Sequence, residues 1–97
     1  MAAYTIVQGI VTDASMFTKY TQEVLGVVAQ YGGRYLVLGS DAETLEGVGD
    51  ARKVVVHEWP DIDAARKFWY STEYQSLKKL REGTGDFQVT LVEGVYT

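Results

Sequence analysis

The stretch Val54–Arg81, VVVHEWPDIDAARKFWYSTEYQSLKKLR, decides the fold of this chain. It opens with β-branched residues that predict a buried strand. Pro60 ends that strand, because proline cannot donate a hydrogen bond to a strand ladder. Asp61 is a good N-cap for a helix. The apolar stripe of this helix consists of Ile62, Ala65, Phe68 and Trp69. The spacing therefore predicts a strand followed by an amphipathic helix.

The helix is predicted to break and resume within the same stretch. Ser71 and Thr72 interrupt the apolar pattern, and either of them can cap a continuation. The continuation carries Tyr74, Leu77, Leu80 and Arg81. Gly83 and Gly85 end it, because glycine adopts the conformation that stops a helix. Beyond them, Phe87–Glu93 alternates between apolar and polar residues, which predicts a final strand.

The N-terminal half begins with a strand and a helix. Tyr4–Val11, YTIVQGIV, is rich in β-branched and aromatic residues and predicts the first strand. Asp13 or Ser15 can cap the helix that follows. The apolar face of this helix consists of Met16, Phe17, Tyr20, Val24, Val27, Val28 and Tyr31. Gly32 and Gly33 end it.

Two strands joined by a long, irregular connection are predicted in the middle of the chain. The strands are Arg34–Leu38 and Arg52–Trp59. The turn-rich sequence between them, GSDAETLEGVGD, leaves room for a strand remnant near Thr44–Glu46. The order β-α-β-β-α-β is that of the α+β ferredoxin-like fold, with a four-stranded antiparallel sheet and both helices on one face. Its two crossovers should be right-handed. One such domain accounts for residues 1–97.

The predicted strands are apolar on both sides, which points to a partner for the sheet. Side chains alternate between the faces of a strand. The opposed sets are Val54 and Val56 against Val55 and Trp59, Tyr35 and Val37 against Leu36 and Leu38, and Ile6 and Ile10 against Val7 and Val11. Two helices cover only one face, and the other would expose an apolar patch on the order of several hundred Å2. We therefore expect a homodimer whose sheets pack face to face. The alternative is a monomer with an open, mildly apolar sheet.

Composition argues against several classes of partner. The formal net charge is −4, and the nine Lys and Arg residues form no basic stripe, which disfavours nucleic-acid binding. Only Lys78, Lys79 and Arg81 cluster, as is usual near the end of a solvated helix. No charged leader precedes an apolar run, and no apolar segment is long enough to span a membrane. We expect a cytoplasmic protein without a membrane partner.

Metal and cofactor sites are not predicted. The chain has one histidine and no cysteine, and its carboxylates show no spaced ligand set. Haem ligation by His57 would rest on that lone histidine. We therefore expect no metal and no cofactor.

Two candidate chemical groups, His57 and Glu58, are adjacent in the third strand and must face opposite sides of it. They are therefore not a simple acid–base pair, because only one of them can line a given cavity. A carboxylate on an apolar strand face needs either a partner or a raised pKa, and Arg34, Arg52 or Arg81 can supply the partner. Glu58 is either a pocket carboxylate that binds or moves protons, or half of a structural ion pair. His57 is either a site residue or a hydrogen-bonded, half-buried histidine.

Aromatic residues dominate the predicted second helix. Phe68, Trp69 and Tyr70 are consecutive and span about 200° of its circumference. Tyr74 lies four residues beyond Tyr70 and is expected on the same face of the helix. Together these residues predict either an aromatic wall between helix and sheet or ordinary core packing. Arg81 returns to the face of Tyr74. It can anchor a carboxylate or an enolate, or it can stabilise the helix end.

These arguments give a list of candidate site residues. The catalytic candidates are His57, Glu58, Tyr74 and Arg81, and the substrate-binding candidates are Arg34, Trp59, Trp69 and Tyr70. Polar groups among bulky apolar ones suit a small-molecule pocket, so we expect a small aromatic or carbonyl-bearing ligand. A metal-free monooxygenase- or isomerase-like enzyme fits these residue types. The alternative is a non-catalytic dimeric binding or structural module, in which the same residues only pack and form ion pairs.

Four segments resemble a bacterial family of small uncharacterised proteins, a domain of unknown function in the dimeric α/β-barrel superfamily. They are GGRYLVLG (Gly32–Gly39), LEG (Leu45–Gly47), Arg52–Arg81 and LVEG (Leu91–Gly94). The most specific parts are the run Glu58-Trp59-Pro60 and the segment Ser71–Gln75. The sequence departs from the usual family pattern at His57, where an aliphatic residue is commoner.

The resemblance implies a ferredoxin-like protomer and a homodimer whose sheets form a barrel. It implies no agreed reaction. Relatives in the wider superfamily include cofactor-free monooxygenases of polyketide pathways, muconolactone isomerases and haem-binding enzymes, and fold alone does not give function.

Overall fold

Four strands and three α-helices form the computed structural model, which describes residues 1–49 and 52–95. In chain order they are β1 (Ala3–Val11), α1 (Ala14–Gln30), β2 (Arg34–Asp41), β3 (Lys53–Trp59), α2 (Ile62–Tyr70), α3 (Thr72–Lys78) and β4 (Gly85–Glu93). A short 3-10 turn, Lys79–Arg81, follows α3 directly.

The sheet has the order β2-β3-β1-β4, and all neighbouring strands are antiparallel. This is the predicted ferredoxin-like arrangement, which is therefore confirmed. β1 is central and pairs Thr5 with His57 of β3 and with Leu91 of β4. Directly paired residues share a face of the sheet, so these three side chains lie on the same side.

The three helices cover one face of the sheet. The Cα atoms extend 36 × 35 × 16 Å, which leaves room for one sheet and one helical layer, since packed layers lie roughly 10 Å apart. The core between the layers consists of Val24, Val28, Trp59, Ala65, Phe68, Tyr74 and Leu77. On the opposite face, Leu36 and Val92 are 47% and 39% exposed.

Side-chain caps fix the start of each helix, as the sequence predicts. The Asp13 carboxylate accepts a hydrogen bond from the backbone N–H of Met16 at 3.2 Å. The Asp61 carboxylate accepts one from the N–H of Ala64 at 2.7 Å. These bonds satisfy amide groups that have no partner within the helix. Gly32 takes a φ of 85° after α1, a conformation that favours glycine.

The break between α2 and α3 occurs at Ser71. This residue is extended, with φ −67° and ψ 150°, and its hydroxyl accepts a hydrogen bond from the N–H of Tyr74 at 3.1 Å. The predicted shared face of Tyr70 and Tyr74 is therefore wrong, because the i,i+4 relation holds only within a continuous helix. Tyr70 is 76% exposed, whereas Tyr74 is buried.

Irregularities in β2 change which face its side chains occupy. The pairing with β3 shifts between Tyr35 and Val37 and again between Leu38 and Ser40. An extra residue in a strand reverses the alternation beyond it. Tyr35 and Val37 therefore lie on opposite faces, which corrects the prediction that they share one. Leu38, paired with Val55, lies on the helix side.

The connection after β2 contains no strand in its described part, residues 42–49. The remnant predicted near Thr44–Glu46 is wrong. β2 extends instead to Asp41. Its pairing with β3 ends there, at the pair Asp41 and Lys53. Asp50, the last residue of the predicted connection, and Ala51 lie outside the described residues. None of the helices described is long and apolar enough to cross a membrane.

Candidate functional site

A half-open cavity of about 520 Å3 lies between the helices and the sheet. Its floor is made by residues of all four strands, and its walls by α1, α2, α3 and the 3-10 turn. The lining is mainly apolar and aromatic. The polar side chains that reach it include those of Thr5, Tyr20, Tyr35, His57, Tyr74 and Arg81. A volume of this size is typical of small-molecule sites.

A tyrosine–arginine cluster, formed by Tyr20, Tyr74 and Arg81, lies on one side of the cavity. The hydroxyl oxygens of Tyr20 and Tyr74 are 3.0 Å apart, and Arg81 Nη2 donates to the Tyr74 hydroxyl at 3.4 Å. The Arg81 guanidinium also lies 5.0 Å from the ring centre of Phe87 and 5.7 Å from that of Tyr20. These ring contacts hold the planar cation in place.

The charge of Arg81 is not matched by a carboxylate within residues 1–49 and 52–95. Burial acts to lower the pKa of Arg81, but the oxygens of Tyr74 and Tyr20 outweigh it, so the net direction is upward. Burial and the proximity of Tyr74 raise the pKa of Tyr20 far above its ordinary value. A permanent cation therefore lies beside the hydroxyl groups of Tyr20 and Tyr74 in an apolar wall.

A second polar group, the threonine–histidine pair of Thr5 and His57, lies on the sheet floor. Thr5 Oγ1 and His57 Nδ1 are 2.7 Å apart, and Trp59 Nε1 donates to Thr5 Oγ1 at 3.0 Å. Burial lowers the pKa of His57 to about 4, so its imidazole is neutral at pH 7. The edge of the Tyr35 ring packs on the imidazole at 4.5 Å.

Glu58 lies on the opposite face of the sheet and does not line the cavity. Its carboxylate accepts a hydrogen bond from Arg34 Nε at 2.6 Å and one from the Tyr4 hydroxyl at 3.4 Å. Arg34 and Tyr4 are its cross-strand neighbours on β2 and β1. The candidates Glu58 and Arg34 thus form an ion pair away from the other candidate residues.

The remaining aromatic candidates occupy three different environments. Trp69 lines the cavity, and the Lys78 ammonium lies 5.2 Å from its ring centre. Trp59 is buried in the core against Gly33, where an added Cβ would lie 2.7 Å from the indole. Tyr70 is exposed beside a separate, smaller cleft. Of the predicted site residues, the cavity therefore brings together His57, Trp69, Tyr74 and Arg81.

Of the six polar cavity residues named above, three were not singled out from the sequence. Tyr20 was assigned to an apolar helix face and Tyr35 to an apolar strand, because their rings fit such patterns. Thr5 carried a usable signal, since it is a polar residue at an inward-facing position of a strand that is otherwise apolar there. Across the described ranges, no group of three or more His, Asp or Glu side chains is arranged to hold a metal ion.

Comparison with known families identifies the chain. Residues 2–95 match the model of a family described as a domain of unknown function, DUF1330. The chain belongs to the DUF1330 family. The resemblance noted in the sequence is thereby confirmed over almost the whole chain. No curated protein matches it.

Solved structures similar to this DUF1330 chain share its fold at low sequence identity. A protein of unknown function from Rhodopseudomonas palustris has a TM-score of 0.79 at 15% identity, over 99% of this chain and 84% of that one. SnoaB, a cofactor-independent oxygenase from Streptomyces nogalater, has a TM-score of 0.69 at 14% identity, over 99% and 95%. A proposed antibiotic biosynthesis monooxygenase from Nitrosomonas europaea has a TM-score of 0.65 at 13% identity, over 98% and 91%. At such identities the likeness establishes the fold alone.

Proposed function

We propose that this DUF1330 protein is a homodimeric α/β barrel in which each protomer binds a small aromatic ligand that carries a carbonyl or anionic oxygen. The ligand occupies the cavity between helices and sheet, with its oxygen at Arg81. The observation that carries the proposal is the half-buried guanidinium of Arg81, which lines an apolar cavity and has no carboxylate partner in the described part of the chain.

Electrostatics favours an anion at this position. Two opposite charges attract more strongly as the surrounding dielectric constant falls, and apolar walls exclude water. A guanidinium also presents several donors in one plane, which suits a carboxylate or an enolate. Tyr74 already accepts a hydrogen bond from Arg81, so its own hydroxyl proton remains available to a ligand or to Tyr20.

The walls favour a flat, aromatic body for the ligand. Phe17, Phe68, Trp69 and Phe87 line the cavity. Aromatic rings attract one another in offset or edge-on arrangements and bury large apolar areas. Gly9 on the floor also keeps the cavity open, since a side chain there would displace the ring of Phe87.

The chemistry that this arrangement supports is metal-free. Donors directed at one oxygen stabilise the enolate that forms when a carbonyl ligand gives up an α-proton to water in the half-open cavity. If the ligand is an unsaturated carbonyl, its dienolate can take a proton back from water at a different carbon, which is an isomerisation. A ring CH2 group activated in this way can also react with O2 to give C=O and water, with the ligand supplying the electrons. The fold shared with SnoaB, a cofactor-independent oxygenase, supports considering the second outcome.

Binding is tested with a matched pair of ligands, 2-naphthoate and its neutral isostere 2-naphthamide. We expect calorimetry to show tighter binding of 2-naphthoate. Arg81→Met removes the charge and should weaken 2-naphthoate binding roughly tenfold or more, because a hydrogen bond to a charged group contributes about 1.5–3 kcal/mol. Binding of 2-naphthamide should change little. Lys79→Met is the control, since it removes an exposed cation from the same 3-10 turn.

Three outcomes would contradict this proposal. One is an equal loss of affinity for both ligands in Arg81→Met. Another is an equal effect of Lys79→Met on 2-naphthoate. The third is the absence of binding of either ligand to the wild-type protein at millimolar concentration.

Turnover is tested with 2-tetralone, an aromatic ketone with exchangeable C–H groups beside its carbonyl. Proton NMR in D2O measures exchange at these positions, and an oxygen electrode measures O2 uptake. An enzyme of the proposed type accelerates at least one process, and Arg81→Met removes the acceleration while Lys79→Met retains it. Binding without either process supports the non-catalytic module instead.

A further inference from the structure

The Thr5 hydroxyl lies between two nitrogen atoms. Trp59 Nε1 is 3.0 Å from Thr5 Oγ1, and His57 Nδ1 is 2.7 Å from it. Thr5 is only 4% exposed, and Trp59 is more deeply buried. The hydroxyl is therefore largely shielded from solvent, and its hydrogen bonds have to be made with these neighbours.

The direction of the first bond is unambiguous. An indole N–H can only donate, so Thr5 Oγ1 accepts from Trp59. The Thr5 hydroxyl proton cannot point back at Trp59. The described residues offer this proton one acceptor, the Nδ1 atom of His57.

The second bond can run in two directions, and they are not equivalent. If His57 donates from Nδ1, Thr5 Oγ1 accepts twice and its own proton has no protein acceptor. If Thr5 donates to Nδ1, the buried Thr5 proton is satisfied, and the imidazole proton lies on Nε2 of a residue that lines the cavity. A buried donor without an acceptor costs free energy that a satisfied one does not.

We propose that Thr5 donates to Nδ1 of His57 and thereby holds the proton of the neutral imidazole on Nε2, so that His57 presents an N–H donor to the cavity. Thr5 and Trp59 are positioning residues in this arrangement. Nε2 has no hydrogen-bond partner among the described residues, and His57 lines the cavity. The inference rests on the proposed function and deepens it.

The proposal narrows the class of ligand. A neutral histidine that presents N–H cannot remove a proton through that nitrogen, so His57 is not the base of the site. It instead hydrogen-bonds an acceptor, such as a carbonyl oxygen. With the cation of Arg81 in the same cavity, the ligand carries two acceptor oxygens, one of which is anionic or becomes so. Burial, which lowers the pKa of His57, keeps the imidazole neutral around pH 7.

The test is the nitrogen NMR spectrum of the imidazole in the ligand-free wild-type protein. The chain has a single histidine, so the signals need no assignment by mutation. Long-range proton–nitrogen correlations distinguish Nε2, which couples to both ring protons, from Nδ1. We expect a pyrrole-type shift at Nε2 and a pyridine-type shift at Nδ1 at pH 7. Pyrrole-type Nδ1 with pyridine-type Nε2 overturns the proposal, whether or not any variant folds.

Two variants test the role of Thr5 itself. Thr5→Val keeps the shape of the side chain but removes the hydroxyl, and both nitrogen shifts should move toward intermediate values as the tautomers mix. Thr5→Ser restores the hydroxyl and should restore the wild-type pattern. A Thr5→Val spectrum identical to that of the wild type overturns the assignment of Thr5, since a merely structural residue would not change the tautomer.

Failure of this inference can be distinguished from failure of the proposed function. The tautomer is measured without ligand, so it can be correct even if neither naphthalene compound binds. Conversely, charge-dependent binding of 2-naphthoate at Arg81 can hold while the tautomer is the opposite one. If both hold, 2-naphthoate, whose carboxylate offers two acceptor oxygens, should shift the Nε2 signals of His57 and leave the pyridine-type shift of Nδ1 in place.

Discussion

His57 shows how burial and a single hydrogen bond define the state of a side chain. It lies under the helical layer, its Nδ1 atom contacts Thr5, and Tyr35 packs against its ring. The lowered pKa, about 4, follows from removing the imidazolium form from water. A histidine in this environment contributes a neutral polar group to an apolar cavity rather than a charge.

The lowered pKa of His57 gives a pH dependence of stability. Below pH 6.5, the ordinary pKa of histidine, His57 takes up a proton in the unfolded chain but not yet in the folded protein. The free energy that neutral His57 contributes to stability is therefore fully present above pH 6.5 and is lost as the pH falls toward about 4. The loss should approach about 3 kcal/mol, since each pH unit between the two pKa values corresponds to about 1.4 kcal/mol.

Urea unfolding at a series of pH values measures this loss. His57→Asn cannot bind the proton but keeps an acceptor near Thr5, so its stability should fall less over the same range. The difference between the two curves isolates His57 from the carboxylates that also titrate. Parallel curves for the wild type and His57→Asn would show that the histidine does not resist protonation.

Strand alternation predicts the faces of adjacent residues where the strand is regular. His57 and Glu58 lie on opposite faces because β3 keeps its period, so the sequence was sufficient to separate them. The partner of Glu58, Arg34, was among the predicted alternatives. Which of the two residues lines the cavity could not be derived, because that depends on the side to which the helices pack.

At the scale of elements, the break at Ser71 positions the tyrosine–arginine cluster. The Ser71 hydroxyl donates to the carbonyl of Phe68 at 2.7 Å and accepts from the N–H of Tyr74 at 3.1 Å. One side chain therefore ends α2 and begins α3. The new helix direction carries Tyr74 into the cavity wall, while Tyr70 remains outside.

Loss of this cap should affect both stability and the site. Ser71→Ala should reduce the free energy of unfolding by about 1 kcal/mol, the usual cost of removing an N-cap side chain. It should also weaken 2-naphthoate binding, because Tyr74 and Arg81 follow the cap. Ser76→Ala on the exposed face of α3 is the control, and chemical denaturation with calorimetry measures both effects. Equal stability losses in the two variants would contradict a capping role.

The helix boundaries could be derived from capping residues, but the geometry between elements could not. Asp13, Asp61 and Ser71 cap as their residue types suggest. The turn of the chain at Ser71 and the pairing shifts in β2 depend on contacts between distant segments. Val37 was therefore assigned to the wrong face because periodicity does not register an inserted residue. Tyr70 was assigned to the wrong face because periodicity does not register the change of direction between α2 and α3.

At the scale of the whole molecule, one face of the sheet is left without a covering layer by the described residues. Ile6, Val37 and Val56 are cross-strand neighbours on that face. Burying roughly 800 Å2 of apolar area at about 25 cal/mol per Å2 offers about 20 kcal/mol before the costs of association. This gain supports the proposed homodimer.

Sedimentation at micromolar concentration tests the assembly. We expect a species of twice the 10.8 kDa mass of one chain. Val56→Glu should shift it toward monomer, because a buried unpaired carboxylate at the interface is costly. Ala29→Glu adds the same charge to the exposed face of α1 and should leave the mass unchanged. A monomeric wild type, or a Val56→Glu protein that remains dimeric, would refute the face-to-face assembly.

Because successive side chains of a strand point to opposite faces of the sheet, adjacent residues of the sequence contribute to different surfaces. Tyr4 and Glu58 belong to one face, while their chain neighbours Thr5 and His57 belong to the other. Natural selection can therefore alter the cavity at alternate positions of β1 and β3 without changing the residues of the opposite surface. A family built in this way can vary its cavity while retaining the opposite face of its sheet.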